Sequence, residues 1–361
     1  MDKKNKNKLD LALKRLRDLR WPESDLEYQD SCPVCKDVSR EILNDDLVDN
    51  VFEVARGKWV LWQCSSCKSA YLDPRPTEQS IGRAYGSYYT HKSPENRKIS
   101  GRLSVFRQVR RAISNSYLNS RYGTSYQPHH TLGTVLAYVI PSQREVLDVQ
   151  FRWLPKPKPG QNLLDVGCGN GTFLLKARDS GWTVEGVDFD GEAVEAARVA
   201  GLNVNKGSLE LFEGSECMFD VITLNHVIEH VHHPLGMLMR AYSLLKPGGT
   251  LYLETPNIQS RGAKLFGCNW RGLEAPRHLV LFTVNSMQLL LKKAGFVGIV
   301  FKRRRKVTKH LFLASQKMVA GLSPYDSEPI GLTVDKLVWV YMPLQPLASL
   351  EFITLHARKP L

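Results

Sequence analysis

The chain has 361 residues, 43% of them hydrophobic, enough for one large core with an accessory domain and too apolar for a disordered chain. A formal charge of +13 favours acidic partners: nucleotides, phosphorylated sugars, nucleic acid or an anionic membrane surface. No apolar h-region follows the charged first residues and no apolar run is long enough to span a bilayer, so a cytoplasmic protein is expected.

Residues 1–27 read as a basic segment, with Lys and Arg concentrated from Lys3 to Arg20. Residues 28–90 contain Cys32-Pro-Val-Cys35 and Cys64-Ser-Ser-Cys67. Each CxxC turns two thiolates toward one centre, and two such knuckles complete a tetrahedral Zn2+ site with no open position. A redox CxxC is the competing reading, and a cytosolic setting disfavours disulfides. The gap from Lys36 to Gln63 has room for a hairpin, with Phe52–Val54 expected to pair with Trp59–Gln63 across Gly57. Tyr71 to Tyr89 is aromatic and turn-rich, while Cys168, Cys217 and Cys268 read as interior or loop residues.

Residues 91–159 read as a basic helical connector: Arg97 to Arg121 carries seven basic residues and no acidic one. Lys302 to Lys309 is a second basic cluster. Such runs are solvated faces or phosphate grips, the latter resting on Arg107, Arg110 and Arg111.

From residue 160 to 361 the pattern changes to alternating strands and helices. Asn162 to Val166 reads as a buried strand and Thr172 to Asp179 as a helix. Between them Gly167, Gly169 and Gly171 remove side chains where the backbone turns tightly or a ligand approaches. The spacing is GxGxG, unlike the GxGxxG of dinucleotide binders. Thr183 to Val187 is a second strand ending at Asp188, placed to accept ribose hydroxyls or to cap the Gly191–Ala200 helix. A third strand is expected at Leu202–Asn205, a fourth at Asp220–Leu224, a fifth within Leu244–Asn257 and a last at Glu351–Lys359, with Leu337–Ile353 as broken helices.

These motifs, in this order, resemble class I S-adenosylmethionine-dependent methyltransferases over Gln161 to about Phe301. Asp165 and the three glycines match the first motif and VEGVDFD the second. FDVITLNHVIEHVHHP and LLKPGGTLYLETPN are similar to the fourth- and fifth-strand motifs. The resemblance implies an α/β fold: a Rossmann-like seven-stranded sheet with helices on both faces, preceded by a small zinc-binding domain. It implies that S-adenosyl-L-methionine is bound by Asp165, Gly167, Gly169, Gly171, Asp188 and Asn225. Many relatives carry an acidic residue after the third strand for the adenine amino group; here Ser208 or backbone stands in its place.

The order of zinc knuckles, tyrosine-bearing segment and methyltransferase domain resembles bacterial enzymes acting on nucleotide-linked sugars or surface-polysaccharide precursors. It implies transfer to oxygen or carbon of a small, phosphorylated, sugar-type acceptor. An oxygen or carbon acid needs a base. Glu229 and His230 follow the fourth strand, and the resemblance gives them the pocket walls. His226, Glu229 and His230 also spell the HxxEH of inverted zinc proteases, which would require one independent helix and a further ligand. His278, within NWRGLEAPRHLVLFT, is either the base or a ring that holds its loop by hydrogen bonds. RNA methylation is a second reading, although NHVIEH replaces the Asn-Pro-Pro-aromatic motif expected there. The third is an assembly protein without turnover.

Overall fold

The computed structural model describes residues 20–86, 104–139, 141–326 and 345–361. Residues 1–19 of the basic N-terminal segment, residues 97–102 and residues 337–344 lie outside the described residues. Of the described residues, those within Met1–Tyr88, Asn225–Tyr242 and Leu253–Arg358 make one compact unit. Those within Tyr89–Leu224, Ser243–Tyr252 and Lys359–Leu361 make a second.

The first unit begins with β1 (Leu26–Glu27), β2 (Arg40–Leu47), β3 (Trp59–Cys64), β4 (Ala70–Leu72) and β5 (Arg75–Pro76). The hairpin over the cysteine gap exists, but its first strand is β2, paired from Arg40↔Cys64 to Leu47↔Trp59. Phe52–Val54 is not a strand, because the buried Asp49 carboxylate accepts the amides of Phe52, Val54 and Ala55 at 3.0–3.1 Å. Those bonds wind the segment around Asp49 and leave it no ladder to join.

Among the described residues the second unit opens with three helices, α1 (Val105–Tyr122), α2 (Thr131–Val139) and α3 (Pro141–Gln150). Tyr117, Leu118 and Tyr122 of α1 pack with Ala137, Leu147 and Phe151. The Tyr117 and Tyr122 hydroxyls both donate to Asp148, at 2.8 and 2.5 Å.

Strands and helices then alternate: β6 (Asn162–Val166), α4 (Thr172–Asp179), β7 (Thr183–Asp188), α5 (Gly191–Val199), β8 (Val204–Lys206), β9 (Phe219–Asn225), α6 (Pro234–Leu244) and β10 (Leu245–Pro256). They are followed by α7 (Arg261–Phe266), β11 (Val280–Leu281), α8 (Val284–Lys293), β12 (Val297–Lys302), α9 (Val307–Val319) and β13 (Phe352–Arg358). The seven-stranded sheet has the order β12-β13-β10-β9-β6-β7-β8. β6 runs parallel to β7 and β9, and β12 antiparallel to β13. β6 is buried almost throughout, as a strand covered on both faces must be.

Two expected boundaries shift. The third strand starts at Val204, because the Leu202 side chain is buried beside Gly171. Phe352 and Ile353 belong to the last strand rather than to a broken helix.

Candidate functional site

The glycine turn between β6 and α4 holds its three glycines at φ +68, +54 and +78, a region L side chains avoid. A Cβ on Gly171 would lie 2.3 Å from Leu202 Cδ1, whereas one on Gly169 would meet nothing within 4 Å. Gly171 therefore serves packing, and Gly169 leaves open space for a ligand to approach the backbone. Asp188, at the end of β7, accepts the Gly169 amide at 2.7 Å and the Asp190 amide at 2.9 Å. Burial raises its pKa against those two bonds. Its lone pairs are not exhausted, so the carboxylate can shape the loop and still accept a ligand hydroxyl.

Asp165 is fully buried and engaged within the protein. Arg152, from the end of the helical connector, grips both its oxygens, and the Thr223 hydroxyl donates at 2.8 Å. Arg152 also lies over the Phe173 ring at 3.6 Å. Asp165 thus fixes the turn from beneath, through a partner 13 residues upstream that no motif marked. Ser208 caps the short turn Leu209–Phe212: its hydroxyl accepts the Glu210 amide and lies 2.7 Å from the Glu210 carboxylate. Asn225 ends β9, half-buried.

In the first unit the four cysteines converge. Cys32 Sγ lies 3.6 Å from Cys67 Sγ and Cys35 Sγ 3.4 Å from Cys64 Sγ, and all four sulfurs lie within 4.8 Å of one another. None is in a disulfide. Tetrahedral Zn–S bonds of about 2.3 Å put sulfurs about 3.8 Å apart, so the donor set fits a structural zinc ion. The hydrogen bond between Cys32 and Cys67 lowers the pKa of the first and raises that of the second.

The same unit gathers the acceptor-side candidates. β11 adds to the knuckle sheet in the order β11-β4-β3-β2, with Val280 opposite Tyr71 and Leu281 opposite Ala70. The Leu279 amide donates to the Glu229 carbonyl at 2.8 Å, and the Leu279 carbonyl accepts the Leu72 amide at 3.1 Å. One residue thereby ties the turn after β9 to the knuckle sheet.

Around it His230 Nδ1 lies 3.0 Å from the Tyr85 hydroxyl and 3.0 Å from the Arg277 carbonyl. A carbonyl only accepts, so Nδ1 carries the proton and Nε2 the lone pair. The His278 ring meets the His230 ring edge-on at 4.7 Å, and its Nδ1 donates to the Gly272 carbonyl at 2.9 Å. Burial pushes the His278 pKa down to about 4, so the ring is neutral at physiological pH. The fully buried Glu229 is held at about 2: against the cost of burial, His226 Nδ1 donates to it at 3.2 Å. Its other oxygen accepts the Thr255 hydroxyl at 2.9 Å.

Glu229, His230 and His278 bring their ligand-type atoms within 4.8 Å of one another. The independent helix required by a protease reading is not formed, since Ile228–His230 is a single 3-10 turn. Tyr85 is the side chain of this cluster that motif reading passed over; its only signal was its place in the aromatic, turn-rich stretch after the second knuckle. Arg107, Arg110 and Arg111 of α1 are exposed and lie in the other unit.

Residues 142–299 match a family model described as a methyltransferase domain. Those residues form a methyltransferase domain. That domain is 30% identical over 132 residues to a ubiquinone biosynthesis O-methyltransferase of Paracidovorax citrulli, a match covering 34% of this chain and 54% of that protein. An enzyme of the same description from Xanthomonas campestris is 36% identical over 106 residues, 27% of this chain and 44% of the relative. The chain therefore spans about half the length of the curated relatives it matches. Among solved structures, phosphoethanolamine N-methyltransferase 2 of Haemonchus contortus in complex with S-adenosyl-L-methionine aligns with a TM-score of 0.44 at 20% identity, over 69% of this chain and 60% of that chain.

Proposed function

We propose that the protein transfers the methyl group of S-adenosyl-L-methionine to an oxygen or carbon of a small, phosphorylated or nucleotide-linked, sugar-type acceptor, with Zn2+ held structurally by Cys32, Cys35, Cys64 and Cys67. Gly167, Gly169, Gly171, Asp188 and Asn225 would hold the cofactor, and the open face of Gly169 suits them to it. A sulfonium methyl is already activated; what the protein must add is an aligned acceptor, exclusion of water and a place for the acceptor's proton. The curated relatives' description as O-methyltransferases supports an oxygen acceptor.

The observation that carries this reading is the Tyr85–His230–His278 cluster. His230 is half-buried, with its proton fixed on Nδ1, so Nε2 is the nitrogen offered to an acceptor hydroxyl. The buried and neutral His278 positions it, and the ionised Glu229 favours the imidazolium formed as the proton arrives. In the transfer, the acceptor oxygen bonds to the methyl carbon as the S–CH3 bond breaks, and His230 takes the hydroxyl proton.

The test is mass spectrometry of a cell extract incubated with the protein and isotopically labelled S-adenosyl-L-methionine. A labelled nucleotide sugar is the expected product; label confined to RNA overturns the proposal. With the acceptor in hand, H230N is expected to lower turnover by roughly 100-fold while cofactor binding persists. A near-normal rate would remove His230 from the chemistry.

A further inference from the structure

Apart from any acceptor site, the first turns of α1 present a face that nothing among the described residues covers. Val105 and Phe106 are 77% and 78% exposed and Val109 53%, and the half-buried Ile113 continues the stripe at the spacing i, i+4, i+8. Arg107 and Arg111, both exposed, occupy the opposite side, the exposed Arg110 flanks Phe106, and Arg121 extends the basic row. The next helix adds the exposed apolar side chains Val135, Leu136 and Tyr138. It packs against α1 where a Cβ on Gly133 would lie 2.6 Å from Ser116 Oγ and 3.2 Å from Ile113 Cα. The lower half of α1 is anchored by Tyr117, Leu118 and Tyr122, so the exposed turns project from a packed base.

We propose that this basic, apolar end of the α1–α2 hairpin is an interfacial anchor that lies on an anionic membrane surface. An aromatic and two valines on one side with arginines on the other is the composition of helices that sink their apolar side to the headgroup boundary while cations meet acidic lipids. A second copy of the chain fits poorly: Arg107, Arg110 and Arg111, with no acidic residue among them, would face their own kind. A nucleic acid would satisfy the arginines and leave Val105, Phe106 and Val109 in water. No helix among the described residues is long and apolar enough to cross a membrane, so the contact is peripheral.

The experiment is flotation of the full chain with vesicles of phosphatidylglycerol mixed with phosphatidylcholine, and with vesicles of phosphatidylcholine alone. Binding is expected only to the acidic vesicles and to fall with salt. Neutralising Arg107, Arg110 and Arg111 to Gln should weaken it by roughly fivefold per residue at low salt. The double variant F106E/V109E should lose it, with its circular dichroism and melting profile unchanged because both side chains are exposed. Equal binding to both vesicle types, or none, overturns the proposal. So does acidic-vesicle binding that survives F106E/V109E, since the apolar face then contributes nothing. Two further results overturn it: an RNA oligonucleotide bound through the same arginines with no vesicle binding, or a dimer in sedimentation that F106E/V109E dissolves.

Discussion

A buried histidine and a buried carboxylate in one three-membered cluster respond to acid in separate windows. His278 loses basicity to burial, and the nearby Glu274 carboxylate restores only part of it, leaving a pKa of about 4 in the fold against about 6.5 in an unfolded chain. Between those values the unfolded chain binds more protons. Stability contributed by the neutral ring is therefore complete above about pH 6.5 and is lost as the pH falls toward 4. Glu229 is depressed to about 2 from the ordinary carboxylate range, so its contribution is complete above about pH 4.3 and is lost below that. Urea midpoints measured across this range should fall between pH 6.5 and 4 in the wild type and fall less steeply in H278N, where the buried His232, its pKa also lowered by burial, still contributes. A slope that H278N leaves unchanged would assign the sensitivity to another group. His278 and Glu229 were legible because motif spacing pointed at them. Tyr85 and Arg152 were not, since one lies in a 3-10 turn without a motif and the other reaches Asp165 only after the connector has folded.

At the level of elements, the strand–turn–helix from β6 to α4 was readable to the residue, because an apolar run, three glycines and a helical apolar pattern leave one arrangement. The roles of the glycines were not readable, since spacing says nothing of what surrounds a missing Cβ. Gly171→Ala would drive a methyl into Leu202 and hold alanine at φ +78, an overpacking and strain cost of about 2–4 kcal/mol. Gly169→Ala meets no neighbour and carries only the backbone strain, about 1–2 kcal/mol, yet places a methyl in the open space a cofactor needs. Chemical denaturation and calorimetric titration with S-adenosyl-L-methionine should separate them: G171A loses stability first, G169A affinity first. The reverse order would mean that the turn's open side is not the ligand side.

The knuckle sheet shows the opposite case. Its β2 strand is largely exposed and polar, REILNDDL, so no hydrophobic pattern marked it, while the more apolar Phe52–Val54 is bent around Asp49. β11 is two residues long and is a strand only because β4 lies beside it. Chelating the metal from Cys32, Cys35, Cys64 and Cys67 should release the two knuckles and, with them, the sheet that β11 completes. Hydrogen exchange is then expected to rise in β3, β4 and β11 together on zinc removal, with β6 and β7 unaffected. Exchange rising in the knuckles alone would mean that the sheet stands without its metal.

For the whole molecule, sequence order and folded units do not run in parallel. The chain leaves the first unit before α1, returns at Asn225, departs again for Ser243–Tyr252 and returns for Leu253–Arg358. The N-terminal core is shared with the distal chain: Trp21, Leu47, Trp59, Leu61 and Leu72 pack with Ile258, Trp270, Leu273 and Leu281. Arg277, fully buried, places its guanidinium 2.5 and 2.9 Å from the two Asp49 oxygens and donates to the Ala84 carbonyl at 2.9 Å. A chain begun at residue 160 would keep every methyltransferase motif but lose Asp49, Ala84, Tyr85 and β4. Arg277 would keep Glu274, 3.6 Å from its Nε, but lose the Asp49 carboxylate that holds both its terminal nitrogens, a cost of up to about 3–5 kcal/mol, comparable with the stability of many whole domains. Trp270, Leu273 and Leu281 would face water as well. Such a fragment is expected to aggregate or to be cut by protease within Leu253–Arg358 under conditions where the full chain resists. Adding back residues 20–86 as a separate zinc-loaded polypeptide should restore protection if the shared core is what was lost. A fragment that is monomeric, protease-resistant and melts like the full chain would show that Asp49 and the knuckle sheet are dispensable for folding the residues that carry His278.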